Sequence, residues 1–333
     1  MAITGSQTKS FKELIHNRYY LIPIYQRPYD WEIDKVSELW DDISKNEAGY
    51  FLGIVLFRPK KNSGNPHPNE FEVVDGQQRL ATLLLMLQAA VETLENLGEK
   101  DAKEKARDIH KEYVAQKSAL DDNSRPTLIL SNRDKDKFES LILKRPFSGK
   151  RRFTSWRNLE ETIQFFRDKF EQLIKDCGKS GIINFIKNNV LNLSFLEVLL
   201  GTDSDVYQFF ETLNDRGKDL TVADLVKNRI CAEATKEAEK ERRDPTEYVE
   251  DSVLTIDRIS EEIGSGKFPT FLLHYCLAND NDKKPKSRRF LMDWYNDQIS
   301  KKNNIKNFLG HLEKYASHYV NFTQPDKCKD REK

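Results

Sequence analysis

No stretch of this sequence is apolar for long enough to cross a bilayer. The longest apolar run, Leu80 to Val91, is broken by Thr82 and Gln88, and it falls far short of the ~20 residues that a spanning helix needs. Net charge is missing too. Lys plus Arg total 54 and Asp plus Glu total 54, so no global field marks a nucleic-acid binder, and any such case has to rest on local asymmetry. The first residues, Met-Ala-Ile-Thr-Gly-Ser-Gln, lack the apolar core of a signal peptide. The four cysteines, Cys177, Cys231, Cys276 and Cys328, stand far apart without a CxxC pair, which predicts free thiols in a reducing cytoplasm. No internal repeat is found.

What is present describes a globular protein with a highly charged surface. Hydrophobic residues make up 38%, charged residues 32% and aromatics 11%, a balance that excludes a disordered chain. At 333 residues the chain exceeds the usual single-domain size, so two units, or one with a large insertion, are expected. Ser10 to Asn17 reads as a helix. Tyr20 to Tyr29 reads as extended, because Pro23 and Pro28 push their predecessors out of helical geometry. In Asp34 to Ser44 the apolar positions Val36, Leu39, Trp40 and Ile43 share one helical face. Phe51 to Phe57 and Phe71 to Val74 read as strands around a loop rich in Asn, Pro, Gly and Ser. From Gln77 to Leu97 neither Gly nor Pro interrupts an apolar helical pattern. Glu99 to Lys187 reads as mostly helical, broken at Ser124-Arg125-Pro126 and Arg145 to Gly149. Leu191 to Leu200 reads as a strand, and Val206 to Leu213 as a helix that Gly217 ends in a left-handed stop. Thr221-Val222-Ala223-Asp224 has the spacing of a capping box and starts another helix.

The segment that carries chemistry is Asp75-Gly76-Gln77-Gln78-Arg79. A strand that turns at a glycine into a helix offers unpaired first-turn amides and the positive end of the helix dipole to a phosphate. Gly76 allows close backbone approach, Arg79 offers a cationic fork that contributes little to the core, and Gln77 and Gln78 offer neutral donors. Asp75 could hold a metal ion or orient a water. The same residues also admit a plain structural reading, with Asp75 as a helix cap and Arg79 in a surface ion pair. A second feature is Ile142 to Arg157, which holds six cations, Lys144, Arg145, Lys150, Arg151, Arg152 and Arg157, and no acid, beside Phe147, Phe153 and Trp156. Basic residues interleaved with aromatics suit DNA backbone contact through Lys150, Arg151 and Arg152. A solvated interdomain loop is the alternative.

Four separated blocks recur together: Ile22 to Trp31, which includes Tyr25-Gln26-Arg27-Pro28-Tyr29; Phe51-Leu52-Gly53; Asp75 to Leu83; and Phe210 to Leu220 followed by Asp224-Leu225-Val226-Lys227-Asn228. In this order they resemble the N-terminal domain family of GmrSD-type restriction enzymes, over roughly Phe11 to Ile230. The resemblance implies an α+β, predominantly helical fold: a small ParB- and sulfiredoxin-like mixed sheet with helices, plus a large helical lobe. Residues 1–230 would form the nucleotide-binding core, with a helical insertion at about 99–190, and residues 231–333 a helical C-terminal region.

It also implies a Mg2+-dependent nucleoside triphosphatase, acting on GTP or ATP, that regulates bacterial defence against foreign or modified DNA. Asp75, Gln78 and Arg79 map onto its catalytic motif, with Asp75 at the metal. Tyr25, Gln26, Arg27, Gly76 and Gln77 would complete the nucleotide site, with Gln78 and Arg79 again, together with Asn214, Arg216, Gly217, Lys227 and Asn228. Tyr29 and Trp31 read either as stacking faces or as core. DNA, a nucleotide and a nuclease domain or subunit are the implied partners, and a homodimer is compatible with it. A rival reading of the same fold is a non-catalytic DNA-binding or protein-interaction module. Family members commonly continue into an HNH nuclease, yet the six histidines here, His16, His67, His110, His274, His311 and His318, are scattered, so either this is the N-terminal part of a longer protein or the nuclease is supplied elsewhere.

Overall fold

A computed structural model describes residues 3–60, 69–117, 124–131, 134–149, 153–201, 221–243, 245–280, 288–301 and 304–323. The chain folds into two compact units, Met1–Pro23 with Arg27–Val206, and Ile24–Gln26 with Tyr207–Lys333. The first is α+β. Its strands are β1 (Ile3–Ser10), β2 (Tyr19–Leu21), β3 (Phe51–Pro59), β4 (Glu70–Asp75), β7 (Leu128–Ile129) and β8 (Ser194–Leu200), in an open mixed sheet ordered β1-β8-β3-β4-β2-β7. A separate hairpin pairs β5 (Ala115–Lys117) with β6 (Ser124–Pro126). The β3–β8, β2–β4 and β2–β7 pairs are parallel, and β1–β8 and β3–β4 are antiparallel. The parallel β3–β8 pair requires a long crossover, and the whole chain between Pro59 and Ser194 supplies it.

Among its described residues this unit has six α-helices: α1 (Phe11–Ile15), α2 (Ile33–Lys45), α3 (Gln77–Asn96), α4 (Lys100–Ile109), α5 (Lys135–Ile142) and α6 (Thr154–Phe185). Ser10 and Glu13 close a full capping box at the start of α1, which satisfies first-turn amides reciprocally. Helix α3 is apolar on nearly every side, so it can only be stable when surrounded. It is: Leu83, Leu85, Met86, Leu87, Ala89, Ala90, Val91 and Leu94 are wholly inaccessible. Each buried Leu or Met of this kind contributes about 1.5–3 kcal/mol of transfer free energy. The predicted apolar face of α2 is buried as well, and Trp40 meets Phe170 edge-on at 5.5 Å and Phe185 at 4.8 Å on α6. Helix α6 kinks at Gly178, whose φ of 66° lies in the left-handed region.

Two features depart from the sequence reading. Strand β1 is polar and largely exposed, and it has strand geometry because it pairs with β8. The stretch expected to be mostly helical contributes β5, β6 and β7, with Pro126 ending β6 where a helix interior would lack a donor.

The described part of the second unit contains α7 (Val222–Glu241), α8 (Pro245–Ile263), α9 (Phe268–Asn279), α10 (Arg288–Lys301) and α11 (Ile305–Thr323). The expected capping box opens α7, with Thr221 accepting from the Asp224 amide and Asp224 reaching back to the Thr221 amide. Ile230, Val253, Ile259, Leu272, Tyr295, Phe308 and Leu312 form its interior. No helix among the described residues is long and apolar enough to cross a membrane.

Candidate functional site

Strand β4 delivers Asp75 to the turn, and Gly76 makes it. The Gly76 φ of 99° and ψ of 8° lie in the left-handed region, and a Cβ there would stand 2.8 Å from Val55 Cγ1. Only glycine satisfies both limits without strain. No side chain caps α3, so its first-turn amides are left to other acceptors. Asp75 and Arg79 are partly exposed, whereas Gly76, Gln77 and Gln78 are buried.

Arg79 is turned toward its own sheet. Its Nη1 donates to the Leu52 carbonyl at 3.0 Å and its Nη2 to the Ile54 carbonyl at 2.6 Å, while Asp75 Oδ2 lies 3.5 Å from Nη2. Between the two carbonyls Gly53 adopts a φ of 116°, and a Cβ there would collide with Nη1. The family block Phe51-Leu52-Gly53 is thereby explained: the glycine makes room for the guanidinium. Burial pulls the Arg79 pKa down, and the Asp75 carboxylate works against that shift.

The two glutamines are turned the other way, onto the segment that follows Gln26. Gln77 Nε2 donates to the Arg27 carbonyl at 3.2 Å and Gln78 Nε2 to the Pro28 carbonyl at 3.0 Å. Gln78 Oε1 in turn accepts from the Asp30 amide at 3.2 Å. Arg27 pairs with Asp30 at 2.8 Å and stays partly exposed. Tyr29 is core, 3% exposed, with its hydroxyl between Thr82 Oγ1 at 2.8 Å and Thr162 Oγ1 at 3.1 Å. Burial pushes its phenol up to about 12, so it stays neutral. Of the two readings of Tyr29, the core one therefore holds and the stacking one does not. Trp31 packs, half-buried, against the same core.

Beside this turn lies a cavity of about 10 Å³, lined among others by Arg27, Tyr29, Gln77, Gln78 and Asp134. That is room for one water at most. Asp134, which no sequence pattern singled out, is 1% exposed and accepts from the Tyr29 amide at 2.8 Å and the Ser155 hydroxyl at 2.6 Å. Sequence reasoning also missed Glu197. Inaccessible in the middle of β8, it accepts from Gln7 Nε2 and Lys9 Nζ at 2.9 and 2.8 Å, and from Arg18. An acid in an otherwise apolar strand was the one signal that could have flagged it.

The remaining predicted residues belong to the second unit or lie outside the described residues. Tyr25 and Gln26 are buried and group with the second unit. So do Lys227, ion-paired with Asp257 at 3.0 Å, and the inaccessible Asn228. Asn214, Arg216, Gly217, Lys150, Arg151 and Arg152 lie outside the described residues. Around the last three, Lys144 pairs with Glu95 at 2.6 Å, Arg145 with Glu139 at 3.2 Å and Arg157 with Glu161 at 3.7 Å. The acid-free window in sequence is thus partly compensated in space. Among the described residues no group of three or more His, Cys, Asp or Glu gathers as a metal site.

The sequence profile of the GmrSD restriction endonuclease N-terminal domain matches residues 11–231. The chain belongs to this family. The match takes in α1, β2 to β8, the Asp75–Arg79 turn and the first part of α7. A comparison with curated proteins found no match. The GmrSD assignment gives the chain a place in a restriction system and hence in defence against phage.

Proposed function

We propose that the Asp75–Arg79 turn binds the phosphates of GTP or ATP and that hydrolysis, with Mg2+, regulates a DNA-cutting restriction system. The observation that carries this is the uncapped start of α3 at the left-handed Gly76, flanked by one partly exposed carboxylate and one partly exposed guanidinium. The family name, that of a restriction endonuclease, supports DNA and a nuclease as the partners. Asp75 supplies a single carboxylate, which suits a Mg2+ ion that arrives with a nucleotide and keeps several waters rather than one caged by protein. Bound there, the ion would neutralise charge on the transferred phosphoryl group. Asp75 is then the residue on which turnover depends. Gln78, whose amide is engaged at both ends, positions Pro28 and Asp30 instead of acting on the phosphate.

The experiment is phosphate release from GTP and ATP by the purified chain with Mg2+, alongside binding of a non-hydrolysable analogue. Asp75→Asn should retain binding and lose release. A variant that turns over at the wild-type rate would remove Asp75 from the reaction. Wild-type protein that neither binds nor hydrolyses would favour the non-catalytic module instead.

A further inference from the structure

The segment Arg27 to Asp30 is held from three sides. Helix α3 takes its carbonyls at 27 and 28 and its amide at 30 through Gln77 and Gln78. The Tyr29 ring is tied by its hydroxyl to Thr82 on α3 and Thr162 on α6. The Tyr29 amide is taken by Asp134 Oδ2, and the other carboxylate oxygen, Oδ1, accepts from Ser155 in the first turn of α6. A carboxylate that is 1% exposed is expensive to bury, and hydrogen bonds from fixed donors to both oxygens offset part of that cost. An apolar residue could fill that volume more cheaply but could not hold a backbone amide. We propose that Asp134 is a positioning residue of the candidate site, fixing Tyr29 so that Arg27 and the two glutamine side chains keep one arrangement relative to the Asp75–Arg79 turn.

The inference rests on the nucleotide reading for its consequence, though not for its geometry. Asp134 touches none of Asp75, Gly76 or Arg79 in its hydrogen bonds; it acts through Tyr29, and Tyr29 through its neighbours Pro28 and Asp30, onto Gln78. Ser155 extends the same link to the start of α6, one residue before Trp156.

Three full-length variants test this: Asp134→Ala, Asp134→Asn and Ser155→Ala. Each is followed by hydrogen exchange of peptides covering 25–31 and 76–80, by melting temperature, and by titration with non-hydrolysable GTP and ATP analogues. Asp134→Ala should lose exchange protection in those two peptides while peptides from β3 and β8 keep theirs. If the ordered arrangement falls to about a tenth of molecules, analogue affinity weakens about tenfold. Asp134→Asn should be close to wild type, because its Oδ1 accepts the Tyr29 amide and the Ser155 hydroxyl can turn to accept from Nδ2–H. Ser155→Ala should give a smaller loss alone and none when added to Asp134→Ala.

Wild-type exchange and affinity in Asp134→Ala would overturn the proposal. So would an Asp134→Asn as damaged as Asp134→Ala, since bulk charge and not hydrogen-bond geometry would then be at work. Should Asp134→Ala fail to fold, unchanged exchange in Ser155→Ala would overturn it equally. Wild-type protein that binds neither analogue sinks the nucleotide reading alone, and the exchange pattern then decides the role of Asp134.

Discussion

Arg79 shows how a cation can look like a ligand-binding residue and hold the fold at the same time. Two of its terminal donors go to the Leu52 and Ile54 carbonyls, so it ties the first turn of α3 across Gly53 to β3. Removing it leaves the half-buried Leu52 carbonyl and the exposed Ile54 carbonyl to water, a net loss of about 0.5–1.5 kcal/mol for each hydrogen bond. Arg79→Ala should therefore lower the melting temperature measurably as well as weaken nucleotide binding. Arg79→Lys should not restore stability, because a single ammonium cannot reproduce a fork spanning two carbonyls. Full restoration by Lys would show that charge, not the fork, matters. That Arg79 could enter an ion pair was legible in the sequence, but its partner Asp75, read there as a helix cap, was not. Nor were the two carbonyls, since they lie 27 and 25 residues away on strand β3.

At the level of elements, β8 is bound to its neighbours by a buried acid as well as by its ladder. Burial alone would raise the Glu197 pKa, yet hydrogen bonds from Lys9, Gln7 and Arg18 outweigh it and hold the carboxyl below the usual range. A depressed native pKa contributes stability that is present above the unfolded value and lost as pH falls through the native one. Unfolded Glu titrates near ~4.3, so melting temperature should drop below about pH 4 and should drop less steeply in Glu197→Gln. At neutral pH that variant leaves Lys9 and Arg18 one neutral amide oxygen in place of a carboxylate and no countercharge, and it should be destabilised by about 3 kcal/mol, read by denaturant unfolding. Equal acid sensitivity in both proteins would place the titrating group elsewhere.

For the whole molecule, ligand linkage gives the cleanest readout. A nucleotide at a hundred times its Kd should stabilise the native state by about 2.7 kcal/mol, and the melting temperature should rise with concentration. No shift with either GTP or ATP would contradict binding. Contact with DNA is tested through Lys150, Arg151 and Arg152. If each neutralises one phosphate, replacing all three with Ala should shallow the slope of log affinity against log salt by ~2 to 3 on duplex DNA, with nucleotide hydrolysis in the absence of DNA unchanged. An unaltered slope would return this segment to a solvated loop.

Periodicity, cap spacing and glycine placement are local properties, and for that reason the sequence alone determined where α2, α3, β3, β4 and β8 lie and where α7 begins. The capping box at Thr221, the left-handed turn at Gly76 and the buried face of α2 all follow from residues within four positions of one another. The pattern of four family blocks also named the family. What each side chain does was decided only in three dimensions. Gln78 meets Pro28 across 50 residues, Tyr29 meets Asp134 across 105 and Arg18 meets Glu197 across 179. Strand β1 illustrates the same limit, because its polar sequence has no strand signal until β8 is beside it. Partners so distant in the chain are chosen by packing of the core, which no local rule encodes.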